Sequence, residues 1–220
     1  MSRLSFSIGL ALPLLFLVNT PGELPGQEAG APPQIDSRIY EIISSASAER
    51  VEIDVRALAG FGTRNTFSDT LSATRGIGAA RRWIKEEFDK ISADCGGCLE
   101  VFFHESVVPA SRRVPNETGI VNVVAIQRGT LYPNRYVLMA GDIDSRASSG
   151  NDAETDAPGA NDNATGMAGA MEAARLLTEY SFPTSIIYVG LSGEEQGLLG
   201  GRALAQTALE EEWDLVAVLN

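Results

Sequence analysis

Apolar residues recur along this chain at helical spacing in some segments and gather into short continuous runs in others. From Ile77 to Ile91 the residues Ile77, Ala80, Ile84 and Phe88 share one face while Lys85, Glu86 and Asp89 fall elsewhere, which predicts an amphipathic helix. Ile35–Ala46 and Glu49–Ala59 carry helix-compatible spacing as well, and Gly60-Phe61-Gly62-Thr63-Arg64 breaks it. Three runs rich in Val, Ile and Phe then predict strands over Leu99–Val108, Ile120–Gln127 and Tyr136–Ala140. A helix is expected over Ala164–Glu179, with Met167, Ala170, Met171, Ala174 and Leu177 lining its inner face. Ser185–Leu191 is nearly all apolar, as a central strand covered on both faces would be. A helix over Gly197–Ala208 and an apolar run over Leu215–Leu219 complete the alternation.

Strand, helix, strand, helix, strand in the second half implies right-handed crossovers and an α/β fold whose sheet is mixed and mostly parallel, flanked by helices. In such sheets ligands collect at the carboxyl ends of the strands. Asp142 and Asp144 follow one expected strand end, and Glu194 and Glu195 follow another. Asp162 stands just before an expected helix. The candidate chemistry therefore converges on one edge of the sheet.

Composition narrows the partners. The chain has 220 residues and is 44% hydrophobic, enough for one domain with a substantial core. Its 17 basic and 29 acidic residues give a net charge of −12, with no basic stripe to neutralise phosphates, so nucleic acid is not expected as a partner. Most of the acidity reads as solvated surface. The connection from Asp142 to Asp162 departs from that, because six acids and a single arginine share it.

The N-terminus reads as an export signal: Arg3 supplies a positive charge, and Ile8–Val18 is an apolar stretch too short to span a bilayer. Residues 1–31 are taken as signal peptide and leader, with Ala29-Gly30-Ala31 resembling a cleavage site, and the chain is expected to be secreted or periplasmic. No later segment is long and apolar enough to anchor it in a membrane. In an exported chain Cys95-Gly96-Gly97-Cys98 is expected to form a local disulfide between a helix and the next strand, in preference to a redox-active pair or a zinc site. His104, the one histidine, has no ligand-like spacing and is expected to be structural, which also disfavours a Ser-His-Asp hydrolase. Asn116 and Asn163 begin sequons that carry no weight here.

Gathered carboxylates of this kind suit hard cations and metal-assisted hydrolysis. Asp162 by itself reads as a helix N-cap. Beside two other carboxylate groups it becomes a candidate bridge between two cations roughly 3.5–4 Å apart. Adjacent side chains project differently, so one of Glu194 and Glu195 can bind metal while the other takes a proton from water within about 3 Å.

Ala157-Pro158-Gly159-Ala160-Asn161-Asp162-Asn163-Ala164-Thr165-Gly166 and Leu191-Ser192-Gly193-Glu194-Glu195-Gln196-Gly197-Leu198-Leu199-Gly200 are specific in combination. With Gly62-Thr63-Arg64 and Gly76–Ile84 they make the stretch from about Ile53 to Asn220 resemble the secreted co-catalytic zinc exopeptidases related to bacterial leucyl aminopeptidases and glutamate carboxypeptidase. The resemblance implies that residues 35–220 are the N-terminal part of a metallopeptidase catalytic domain. It implies two divalent ions, first of all zinc, with Asp162 bridging them, Glu195 binding one and Glu194 acting as general base. It also implies a peptide substrate, with aminopeptidase action favoured over carboxypeptidase action, and a cis peptide bond at Asp162–Asn163.

Two departures from the family pattern matter. Where the family has His-x-Asp, this chain has Asp142-Ile143-Asp144. Asp142 then ligates through oxygen, and Asp144 matches the aspartate that orients its neighbour. The extra negative charge is expected to make the site harder and more tolerant of manganese, cobalt or magnesium. The family also takes an aspartate shortly after the position of Asn220 and a histidine further on. The domain is therefore expected to be C-terminally incomplete and, as these residues alone, inactive. The alternative is a non-catalytic module of the same fold that uses its acidic loop to bind metal or a partner.

Overall fold

The computed structural model describes residues 36–220; the expected signal and leader lie outside them. Three helices come first: α1 (Ser37–Ser45), α2 (Ala48–Gly60) and α3 (Gly76–Asp94). Ser47 caps α2 by accepting the backbone N–H of Arg50 at 3.2 Å. The α3 stripe is the expected one, with Ile77, Ala80, Ile84 and Phe88 buried and Ile91 extending it. Each large apolar side chain so buried contributes about 1.5–3 kcal/mol.

The strands are β1 (Leu99–Val108), β2 (Thr118–Gln127), β3 (Tyr132–Asp142), β4 (Thr184–Leu191) and β5 (Asp214–Leu219), with helices α4 (Thr165–Leu177) and α5 (Leu199–Glu210) between the later ones. They form one mixed sheet in the order β1-β2-β4-β3-β5. β3 runs parallel to both β4 and β5, as the alternation of elements predicts. β1 and β2 pair antiparallel, and β2 pairs antiparallel with β4.

Alternation along the central strands divides the core in two. Val123, Ala125, Ile186 and Tyr188 pack with Phe88, Met167 and Met171 from α3 and α4. Val124, Ile126, Ile187 and Val189 pack on the other face with Leu204 of α5. Because β4 is covered on both sides, its sequence from Ile186 to Leu191 is apolar apart from the Tyr188 hydroxyl. β5, by contrast, is an edge strand with Leu215, Val216, Val218 and Leu219 exposed.

Several boundaries differ from expectation by a few residues, and two of them bear on the sheet and the site. β3 begins at Tyr132 instead of Tyr136, because Arg135 pairs with Asp214 at 2.6 Å across to β5 and Tyr132 meets Thr184 of β4. α5 begins at Leu199 instead of Gly197, since Gly193–Leu198 forms a tight turn in which Gly193 has φ 77° and Gly197 φ 114°. The Cys95–Cys98 disulfide closes the α3–β1 turn as expected. Among the described residues no helix is long and apolar enough to cross a membrane.

Candidate active site

β3 delivers Asp142 to the carboxyl edge of the sheet, and its register is set by the close approach of α4. A Cβ on Gly141 would stand 2.3 Å from the Met167 backbone nitrogen, so only glycine allows strand and helix to meet there. Beyond the strand, Ile143 donates its backbone N–H to Leu191 at 2.6 Å and keeps the β3 and β4 ends side by side. Asp142 and Glu194 line one cavity of about 250 Å³ together with Leu191, Leu198 and Arg202. Glu195 lines a second cavity, which Glu194 does not. The adjacent glutamates thus project differently, as the sequence suggested.

Asp144 is buried, and its carboxylate accepts the backbone N–H groups of Glu194 and Glu195, each at 3.1 Å, and the Thr66 hydroxyl at 3.1 Å. It therefore holds the glutamate turn, and no hydrogen bond among the described residues joins it to Asp142, the neighbour it was expected to orient. That task falls to Asn163, whose side-chain amide donates to Asp142 Oδ2 at 3.0 Å while its Oδ1 accepts Gly166 N–H at 2.8 Å. Asp162 caps nothing: α4 starts at Thr165 without a side-chain cap from it, and Asp162 is exposed. The Asp162–Asn163 bond is cis, as the resemblance implied.

The carboxylates feel one another. Burial pushes the Glu194 carboxyl above its usual value, and the charges of Glu195, Asp142, Asp144 and Asp162 push it further. Burial likewise raises Asp142 and, to a lesser effect than the Asn163 hydrogen bond lowers it, the charges of Asp144 and Asp162 add to that rise. Burial raises Asp144 against its three hydrogen-bond donors. Glu195 is raised by burial in spite of Arg146, whose Nη1 lies 3.0 Å from Glu195 Oε2.

Sequence reasoning gave no role to the residues that hold this edge together. Arg64 is fully buried, and its guanidinium donates to the carbonyls of Ile143 at 2.8 Å, Leu58 at 2.9 Å, Pro158 at 2.6 Å and Gly159 at 3.0 Å. Burial lowers its pKa to about 10, still charged at neutral pH. It ties the strand end bearing Asp142 to the turn bearing Asp162. Asn122 accepts Ser192 N–H at 3.0 Å and donates to Gly200 O at 3.0 Å, which fixes both ends of the Glu194 turn. His104 is structural, as expected: it accepts from Asn122 at Nδ1 (3.2 Å) and its Nε2 faces Thr207 Oγ1 at 2.9 Å. An apolar strand with one polar residue at an inner position, Asn122 in β2, was the signal that could have revealed this clamp.

The donor set is all oxygen, desolvated and mutually repulsive, which suits a hard divalent cation. Among the described residues no three His, Cys, Asp or Glu side chains are already gathered as one metal-ligand set, and Arg146 supplies the countercharge at Glu195.

Residues 122–220 match the sequence profile of peptidase family M28. This stretch belongs to that family. A "Probable zinc metalloprotease" of Pyrenophora teres f. teres is 40% identical over 185 residues, which cover 84% of this chain and 38% of that protein. The chain thus spans well under half the length of that relative. The LapA aminopeptidase of Legionella pneumophila shares the fold of this chain with a TM-score of 0.64 at 18% identity, over 83% of this chain and 44% of that one. A glutaminyl cyclase from Fimbriiglobus ruber shares it with a TM-score of 0.60 at 18% identity, over 79% and 59%. The α/β fold with a mixed sheet between helices is therefore that of the zinc exopeptidases, and it also carries cyclases.

Proposed function

We propose that the protein is a metal-dependent exopeptidase, acting first of all as an aminopeptidase, with Glu194 as its general base. The observation that carries this reading is the shared cavity of Asp142 and Glu194 at the ends of two parallel strands. Asp142 is held by the Asn163 amide and Glu195 by Arg146, whereas the Glu194 carboxylate, also raised by burial, has no ion-pair partner among the described residues. A base poised closer to neutrality transfers protons more effectively in both directions.

The residues that would hold the metal are Asp142, Asp162 and Glu195. Zinc, the metal in the name of the fungal relative, would supply Lewis acidity to the peptide carbonyl and its attacking water. Glu194 takes the proton from that water at a carboxylate oxygen and returns it to the departing amine. Asp144 keeps Glu194 in place through its backbone N–H, and Asn163 keeps Asp142 turned toward the same cavity. Leu191 and Leu198 give the cavity an apolar wall beside the two carboxylates. The protein is exported on this reading, and its partner is a peptide.

The second reading is a non-catalytic binder of the same fold. One observation favours it: the Arg146–Glu195 ion pair satisfies Glu195 without a metal. Glu194→Gln in the full-length protein separates the two. The exopeptidase reading expects peptide hydrolysis to fall by about 10²–10⁴-fold with metal content unchanged. Undiminished hydrolysis would overturn the base assignment.

A further inference from the structure

On the far side of Glu195 from the Asp142 cavity lies a cleft of about 290 Å³ with an opposite character. Three of its lining residues are arginines, Arg112, Arg113 and Arg146, and Glu195 is its one acidic residue. In a chain of net charge −12 this concentration of guanidinium groups is exceptional. Arg146 already pairs with Glu195. Arg112 and Arg113, among the described residues, have neither a hydrogen-bond partner nor an ion-pair partner. The cleft therefore carries an excess of positive charge that no part of the fold consumes.

Its framework is fixed. Arg112 and Arg113 stand in the β1–β2 connection, where Val114 is buried and the pair Ser111 N–H to Val114 O (2.7 Å) and Val114 N–H to Ser111 O (3.2 Å) closes the turn. A Cβ on Gly197 would lie 3.8 Å from Arg113 Nη1, so this arginine rests against the glutamate turn itself. The floor is Gln196, 4% exposed, whose Nε2 donates to Gly150 O at 2.7 Å. Its Oε1 is buried and accepts nothing.

We infer that this cleft is a carboxylate-binding subsite for a peptide substrate, in which Arg112 and Arg113 take the carboxylate. The inference rests on the exopeptidase reading and narrows it to peptides with a negative charge near the end that is cleaved. Guanidinium forks match carboxylates in geometry as well as charge, and an acidic peptide presents the anion that the cleft lacks. The carboxylate can be an acidic side chain or the free α-carboxylate of a short peptide.

The test is equilibrium binding by titration calorimetry to the full-length, metal-loaded protein carrying Glu194→Gln, so that the probes are not consumed. Two pairs of peptides are compared: Glu-Ala-Ala amide against Gln-Ala-Ala amide, and free Ala-Ala-Ala against its amide. We expect the charged member of at least one pair to bind on the order of ten-fold more tightly. The first pair identifies a side-chain carboxylate and the second an α-carboxylate. Adding Arg112→Gln with Arg113→Gln, both exposed, is expected to abolish the difference without moving the unfolding midpoint. Equal binding of all four peptides, or a preference that survives the double substitution, would overturn the subsite alone. No binding of any peptide would overturn the exopeptidase reading with it.

Discussion

The carboxylate of Asp144 grips the backbone N–H of Glu194 at 3.1 Å, although the two residues stand on different loops of the sheet edge. The same carboxylate holds the N–H of Glu195 at the same distance. Asp144→Asn removes the charge and turns one acceptor into a donor facing those N–H groups. We expect hydrolysis by the full-length protein to fall by about 10–100-fold with the fold retained, as is usual for residues that position ligands. Rates within two-fold of the parent would show that the turn keeps its place without Asp144.

Arg64 satisfies four backbone carbonyls from inside the protein; its removal leaves those of Ile143 and Pro158 without a donor, while Leu58 O keeps the N–H of Phe61 and Gly159 O that of Ala164. Arg64→Met is expected to destabilise the fold by about 3–5 kcal/mol, read from the denaturant midpoint. Arg64→Lys keeps the charge but not the fork, and is expected to recover less than half of that loss. A change below about 1 kcal/mol in Arg64→Met would contradict the role assigned to it.

On the proposed reading Asp142 would offer the metal a hard, negative oxygen where the family pattern has a neutral imidazole. Asp142→His is expected to raise zinc selectivity over manganese and magnesium and to shift the pH–rate profile toward lower pH. The measurement is activity of the full-length protein reconstituted with each metal. An unchanged metal order and profile would sink the idea that Asp142 is a ligand.

Helix α2 is pinned to α4 by Glu172, which accepts Arg50 Nε at 2.9 Å and Ser47 N–H at 2.8 Å. Burial pushes the Glu172 carboxyl up, but the Arg50 and Ser47 hydrogen bonds and the charges of Arg50 and Arg175 outweigh it and leave it below its ordinary value. A carboxyl depressed in the folded state stabilises the fold above its unfolded pKa of about 4.3, and that stabilisation disappears as pH falls through the folded value. Glu172→Gln should therefore cost most at neutral pH, and its cost should shrink below about pH 4. A cost independent of pH between 3 and 7, in urea titrations at each pH (values of about this range), would contradict the linkage.

Much of the fold was legible in the sequence because its elements obey simple periods. The stripe Ile77, Ala80, Ile84, Phe88 and the apolar run of β4 report burial directly. The site was legible as positions, since Asp142, Glu194 and Glu195 follow strands whose ends must lie together. Its wiring was not. Arg64, Asn122 and Asn163 act through partners far away in the chain, and neither spacing nor composition announces such contacts. The β3 start was missed because Tyr132-Pro133-Asn134-Arg135 lacks an apolar pattern and is held instead by the Arg135–Asp214 pair.

The measurement that tests the account most directly is hydrolysis of leucyl p-nitroanilide by the full-length protein before and after removal of bound metal with a chelator. The account predicts that activity falls to background and returns on titration with zinc, saturating near two equivalents. Full activity in protein shown by elemental analysis to be metal-free would contradict it.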